Sequence, residues 1–438
     1  MLAVVLTAVL LAAGCDGGGP DVFVDEAALD DSLRVMLTRN GQRTLDNFRL
    51  PDDGDWTSIP QDPKNPLTSG KVALGRVLFH DPNLSTSARH PEYRGTFSCA
   101  TCHHAKAGFQ AGRVQSIGEG GSGWGARGEG RRPAASIPPE DVDVQPVRSP
   151  SVLHVAYQQA MMWDGRMGSK GPNAATSARW IPGTLEGVNL LGYEGTESQA
   201  ISAFTDHRSD DLSLWPVASH PAYLALWNAA WPGEPLSIER AGLAVAAYER
   251  TLIANRAPFQ EWLRGETGAM TIKEKQGALI FFGKGACEEC HSGPALNSMA
   301  FYALGMPDMP GSESVRPLAS PQGRGGFNGA DQDRFKYKVP QLYNLADSPF
   351  YGHGGSFRTI REVVEYYNDG VAAVALPAGR LEPRFKPLEF TEAEVAALTA
   401  FLEHALRDPD LMRYQPTSLP AGGCIPANDA QARRDLGC

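Results

Sequence analysis

Two short stretches of this chain could do chemistry. Cys99-Ala100-Thr101-Cys102-His103 and Cys287-Glu288-Glu289-Cys290-His291 each place two thiols three positions apart, with an imidazole beside the second. That spacing puts both sulfurs on one side of a helical turn, where they can form two thioether bonds to a haem, and the adjacent histidine can reach the iron. In a chain of this composition, chance would supply about 0.003 such motifs. Zinc would want four ligands at each site, which neither stretch brings together. A thiol redox pair has no reason to be followed by histidine both times. The motifs therefore read as two covalent haem sites, attached at Cys99, Cys102, Cys287 and Cys290, with His103 and His291 as axial ligands.

The elements that must position these motifs are helical. Apolar periodicity predicts helices near Leu67–Phe79, Val152–Met162, Ile238–Asn255, Thr271–Phe282, Thr359–Asn368 and Thr391–Arg407, and strand-like alternation is scarce, so the class is mainly α. Long Gly-, Pro- and Arg-rich loops run from Lys106 to Pro146 and from Met306 to Asp333. The halves echo each other: Leu74-Gly75-Arg76-Val77-Leu78-Phe79 leads into the first motif, and Gly277-Ala278-Leu279-Ile280-Phe281-Phe282-Gly283 into the second. A duplicated cytochrome c-type domain accounts for this. The expected division is residues 46–232 for the domain of the first haem and 233–412 for that of the second. Residues 16–45 read as a polar tether and 413–438 as a tail closed by a Cys424–Cys438 disulfide. Such a bond suits an oxidising compartment.

The net charge of −10, from 40 basic and 50 acidic residues, argues against nucleic acid as partner and permits docking of a basic protein. Leu2 to Ala13 is an apolar run of twelve residues, the length of a signal-peptide core and too short to span a bilayer. Ala12-Ala13-Gly14-Cys15 resembles a bacterial lipobox, so residues 1–15 read as a signal, with Cys15 lipidated and holding a periplasmic protein to a membrane. Alternatively, the signal is cleaved without lipidation.

From about Leu67 to Arg407 the chain resembles the di-haem bacterial cytochrome c peroxidases and their MauG-like relatives. The shared elements occur in order. Leu74–Asp81 is followed by the first haem motif, Ser149-Pro150-Ser151-Val152-Leu153, Trp163-Asp164-Gly165-Arg166 and Tyr248-Glu249-Arg250-Thr251-Leu252. The second haem motif, Lys338-Val339-Pro340-Gln341-Leu342-Tyr343-Asn344-Leu345 and His353-Gly354-Gly355-Ser356-Phe357 complete the set.

The resemblance implies reduction of hydrogen peroxide at the N-terminal haem, with electrons entering through the C-terminal haem from a cytochrome c or cupredoxin. A MauG-like alternative is oxidation of a specific partner protein. An alternative of another class is a non-catalytic electron-transfer cytochrome. In many family members a histidine in the loop after the first motif caps the first haem. Here that loop carries Ser116-Ile117-Gly118-Glu119, and no histidine occurs between His104 and His154. The first haem is therefore expected to be open, with Glu119, Met161 or water as alternatives.

The family's second-haem ligand falls fourteen residues after His353, on Tyr367, with Met299, Met306 or Met309 as alternatives. Trp163 matches a tryptophan between the haems, and Arg250 a position near a haem. Cleaving an O–O bond needs a proton donor. The family supplies a glutamate some twenty residues after that tryptophan; its Leu-Glu-x-Gln-Ala stretch is absent here, and Glu194, or else Glu186, is expected to serve. A family calcium lies between the haems and is a candidate here, although Arg148 stands where its asparagine ligand would be.

Overall fold

A computed structural model describes residues 25–319 and 322–438. The expected signal and Cys15 lie outside the described residues. Twelve α-helices and two two-stranded antiparallel ribbons are present among them. The helices are α1 Glu26–Leu37, α2 Ser69–His80, α3 Cys99–Cys102, α4 Gly195–Asp206, α5 Pro221–Ala230, α6 Ile238–Arg250, α7 Pro258–Leu263, α8 Ile272–Phe282, α9 Gly323–Asn328, α10 Ile360–Asp369, α11 Glu392–Ala400 and α12 Ala430–Leu436. The ribbons pair β1 Gly121–Ser122 with β2 Arg132–Pro133, and β3 Phe301–Tyr302 with β4 Tyr337–Lys338. The mainly α class holds.

Local sequence explains where the principal helices begin. Thr68 and Ser237 cap α2 and α6 by accepting from the backbone N–H three residues on. Thr271, Thr359 and Thr391, each with a glutamate three positions later, form capping boxes at α8, α10 and α11.

Close helix crossings then build the core, and the echo noted in the sequence becomes physical. A Cβ on Gly75 of α2 would lie 1.9 Å from the Ala244 carbonyl oxygen of α6, and a Cβ on Gly277 of α8 would lie 2.1 Å from that of Ala397 in α11. Glycine alone permits either approach. In both halves it falls four residues before a buried phenylalanine, Phe79 or Phe281, on the helix that leads into a haem motif. A single apolar core runs through both halves, from Leu74, Leu78 and Phe79 through Phe259 and Phe281 to Leu398 and Phe401.

Two expectations need correction. Residues 26–37, assigned to the tether, form α1. Its Leu33 and Leu37 are buried, and its Asp30 accepts from Trp262 Nε1 at 2.6 Å and pairs with Lys275 Nζ at 2.9 Å. Val152–Met162 is not a helix. It holds one 3₁₀ turn, Val155–Tyr157, because His154 sits at φ 59° and is tied to the 252–254 segment through Leu252 O (2.9 Å) and Ala254 N (2.9 Å). At the C-terminus, a Cys424–Cys438 disulfide closes the tail. No helix among the described residues is long and apolar enough to cross a membrane.

Candidate haem sites and active site

The first motif is α3 itself, one helical turn capped by Ser98 and Thr101. The tail braces it: Pro426 O accepts from Ser98 Oγ at 3.0 Å and from Thr101 Oγ1 at 2.7 Å. The second motif begins in a 3₁₀ turn, Cys287–Glu289. The four motif cysteines are unbridged. Burial pushes the Cys99 and Cys287 thiols up to about 12 and that of Cys102 to about 11. No group of three or more His, Cys, Asp or Glu side chains able to hold a metal ion occurs among the described residues.

Both motif histidines are ready to act as ligands. Burial pushes His103 and His291 down to about 4, so each is a neutral imidazole. His103 Nδ1 lies 3.3 Å from Phe109 O, and His291 Nδ1 lies 3.2 Å from Leu296 O and 3.1 Å from Pro340 O. A nitrogen facing a carbonyl must donate, which leaves the lone pair on Nε2 for iron. The residues present thus fit two covalent haems.

A cavity of about 920 Å³ opens over the second motif and is lined by Cys287, Cys290, His291, Tyr367, Met306 and Trp163. Of the alternative methionine ligands, Met306 lines it and Met299 and Met309 do not. Burial raises the Tyr367 phenol well above its ordinary value, and the neighbouring Cys287 and Cys290 sulfurs add to the effect. Trp163 reaches the same cavity. Its Nε1 donates to Arg148 O at 2.8 Å, and its ring meets His353 edge-on at 6.4 Å.

At the first motif, Met161, one of the alternative caps, is buried in the apolar core. Glu119 is fully buried and accepts from Arg89 N (3.1 Å), His90 N (2.8 Å) and the Arg208 guanidinium. His104 packs edge-on against Trp124 at 5.0 Å.

Glu194 and Arg250 come together, with Arg250 Nη2 donating to Glu194 at 3.1 Å. Sequence reasoning missed the third member, Glu197, which takes Arg250 Nε at 2.7 Å and Nη2 at 2.6 Å with both side chains fully buried. Its signal was present: Glu197 sits one turn after Glu194 at the start of α4. The rival acid Glu186 is held by Arg166 at 3.0 Å. The structure also gives Glu249, the neighbour of Arg250, a buried carboxyl whose Oε2 has no hydrogen-bond partner among the described residues. Burial, aided by Glu197, raises it to about 8.

Calcium has no fit beside Arg148. The guanidinium of that buried residue already occupies the local oxygen acceptors, Ala111 O (3.2 Å), Arg113 O (3.1 Å), Gln110 Oε1 (3.2 Å) and Ser348 Oγ (2.5 Å), and would repel a second cation.

Residues 69–268 match the family model described as di-haem cytochrome c peroxidase. The chain is 30% identical over 365 residues to the methylamine utilization protein MauG of Methylorubrum extorquens, covering 83% of this chain and 84% of that protein. It is 27% identical to cytochrome c551 peroxidase of Nitrosomonas europaea, covering 79% and 83% of the two chains. Among solved structures it resembles a MauG-like protein associated with microbial copper homeostasis, with a TM-score of 0.58, 22% identity and coverage of 84% and 97%. These similarities, joined to the two haem motifs, make the chain a member of the di-haem cytochrome c peroxidase and MauG family.

Proposed function

We propose that this protein reduces hydrogen peroxide to water at the haem carried by Cys99 and Cys102, drawing electrons through the haem carried by Cys287 and Cys290. The supporting observation is the asymmetry of the two sites. His291 shares its cavity with the phenol of Tyr367, whereas Glu119, one of the alternatives for capping the first haem, is bound elsewhere. A site with two protein ligands relays electrons, and a site with one can admit peroxide. When bound, haem iron supplies the electron exchange with peroxide.

The chain's own residues supply the rest. Reduction to two waters takes up two electrons and two protons. Glu194, half-buried and oriented by Arg250, carries a proton to the leaving oxygen. Trp163, between the first half and the second cavity, couples the two sites. The domain division at residues 46–232 and 233–412, export to the periplasm and a lipid anchor at Cys15 belong to the same reading.

Tyr367 also favours a second reading, oxidation of a partner protein in the manner of MauG. A phenolate ligand favours higher oxidation states of iron than a thioether does, which suits storing oxidising equivalents over passing electrons. The test is a redox titration of both haems in wild type, Tyr367→Met and Tyr367→Phe. Tyr367→Met raises the second haem's potential and speeds reduction by a small cytochrome or copper protein, and Tyr367→Phe leaves that haem short of a ligand. If neither variant changes its spectrum or potential, Tyr367 is a packing residue, Met306 is the ligand, and the protein-oxidant reading loses its support.

A further inference from the structure

Five cations line the cavity over the second motif. Lys284 pairs with Glu394 at 2.8 Å, Arg384 with Glu382 at 2.6 Å, and Lys386 is exposed to water. Arg148 and Lys338 differ. Each is buried, and neither is ion-paired among the described residues. Arg148 donates only to two backbone carbonyls, a glutamine and a serine hydroxyl. Lys338 Nζ donates to Gln158 Oε1 and to Ala160 O at 2.8 Å. Asp164, whose charge acts on Lys338, is itself bound to Arg166.

Burying a charge without a counter-charge costs several kcal/mol, and buried charges are as a rule paired. Burial accordingly pushes Arg148 down to about 9 and, against the opposing pull of Asp164, Lys338 to about 7. Both residues hold Trp163: Arg148 O accepts from its indole N–H, and Lys338 N donates to its carbonyl at 2.8 Å.

We propose that Arg148 and Lys338 are the anion site for the carboxylate side chains of the haem attached at Cys287 and Cys290. A haem brings two propionates, and the cavity wall offers two buried cations, neither in a salt bridge among the described residues, beside the tryptophan that joins the halves. The pair thereby fixes the haem edge against Trp163 and raises the haem's potential, since a nearby positive charge favours the reduced iron. This inference rests on the cavity holding a haem, and the experiment separates the two claims.

Haem stoichiometry by mass spectrometry and the potential of each haem by spectroelectrochemistry are measured in Arg148→Gln, Lys338→Gln, Arg148→Lys and Lys338→Arg. The glutamine variants should raise the ferric-to-ferrous ratio of the second haem at least tenfold at fixed potential, ~59 mV for one electron. The charge-keeping variants should stay within about threefold of wild type. Loss of the second haem in the glutamine variants alone would equally support the site. Glutamine variants that keep the wild-type potential overturn it, as do charge-keeping variants that shift as far or lose the haem as readily. Absence of a second haem from the wild-type protein would instead overturn the haem reading itself.

Discussion

Glu194 and Glu197 both address Arg250 but differ in exposure, and two isosteric substitutions separate the proton-donor role proposed for Glu194 from the anchoring role of Glu197. Glu197 and Arg250 have no exposed side-chain surface, while Glu194 keeps 16% of its own. Removing one partner of a buried ion pair costs about 3–5 kcal/mol, and Glu197→Gln should sit at the low end, about 3 kcal/mol, because Glu194 still faces the guanidinium. With an unfolding slope of about 3 kcal/mol per molar urea, the midpoint should fall by about 1 M. Glu194→Gln removes a solvent-reached partner and should cost about 1 kcal/mol or less, about a third of a molar. Peroxide turnover should respond in the opposite order. Glu194→Gln should slow it by about 10² to 10⁴, the scale of a lost general acid, with substrate affinity little changed. Glu197→Gln should slow it far less once the variant is assayed well below its midpoint. Urea titration and steady-state turnover on the same preparations decide the matter. If Glu194→Gln turns over within about threefold of wild type, Glu194 is not the proton donor. If Glu197→Gln unfolds with wild type, the buried pair is not the anchor it is taken to be.

Gly75→Ala and Gly277→Ala should each destabilise by about 1–3 kcal/mol or more, since a backbone carbonyl cannot yield as a flexible side chain can. Each should also perturb the spectrum of the haem in its own half. Gly268→Ala, with nothing within 4 Å of the added carbon, is the control, and equal stability of all three in urea would refute the close-approach argument. His207 gives a pH dependence. Burial works against its charge, but Asp143 at 3.0 Å, helped by Asp206 and opposed by Arg208, outweighs burial and holds the imidazolium up to about 9. A raised folded-state value means that this stabilisation is complete below the ordinary value of 6.5 and is lost as pH rises through about 9. His207→Gln should therefore lose part of the wild-type difference in urea midpoint between about pH 6 and about pH 10. An unchanged difference would refute the assignment.

What could be read in the sequence was local. Haem attachment needs two cysteines and a histidine within one turn, so both sites were visible without a fold. Helices α2, α6, α8, α10 and α11 announce themselves by caps and apolar periodicity. What was missed depended on contacts far along the chain. α1 looked like a tether because what holds it, Leu33 and Leu37 in the apolar core and Asp30 against Lys275, depends on residues far along the chain. The segment 152–162 has helical spacing, but its backbone bonds are scattered over distant partners, Phe109, Leu252, Met167 and Gly195. Arg148 read only as a missing asparagine, and its role as a buried cation needed the carbonyls of residues 111 and 113 in view. Glu197 needed α4 and α6 side by side.

The account turns on whether the first haem keeps an open side in the resting enzyme. Electron paramagnetic resonance of the all-ferric protein, followed by peroxide turnover without prior reduction, tests this directly. One high-spin haem with immediate turnover is the predicted result. A spectrum of low-spin haems alone, with activity appearing only after one electron has been added, would contradict it.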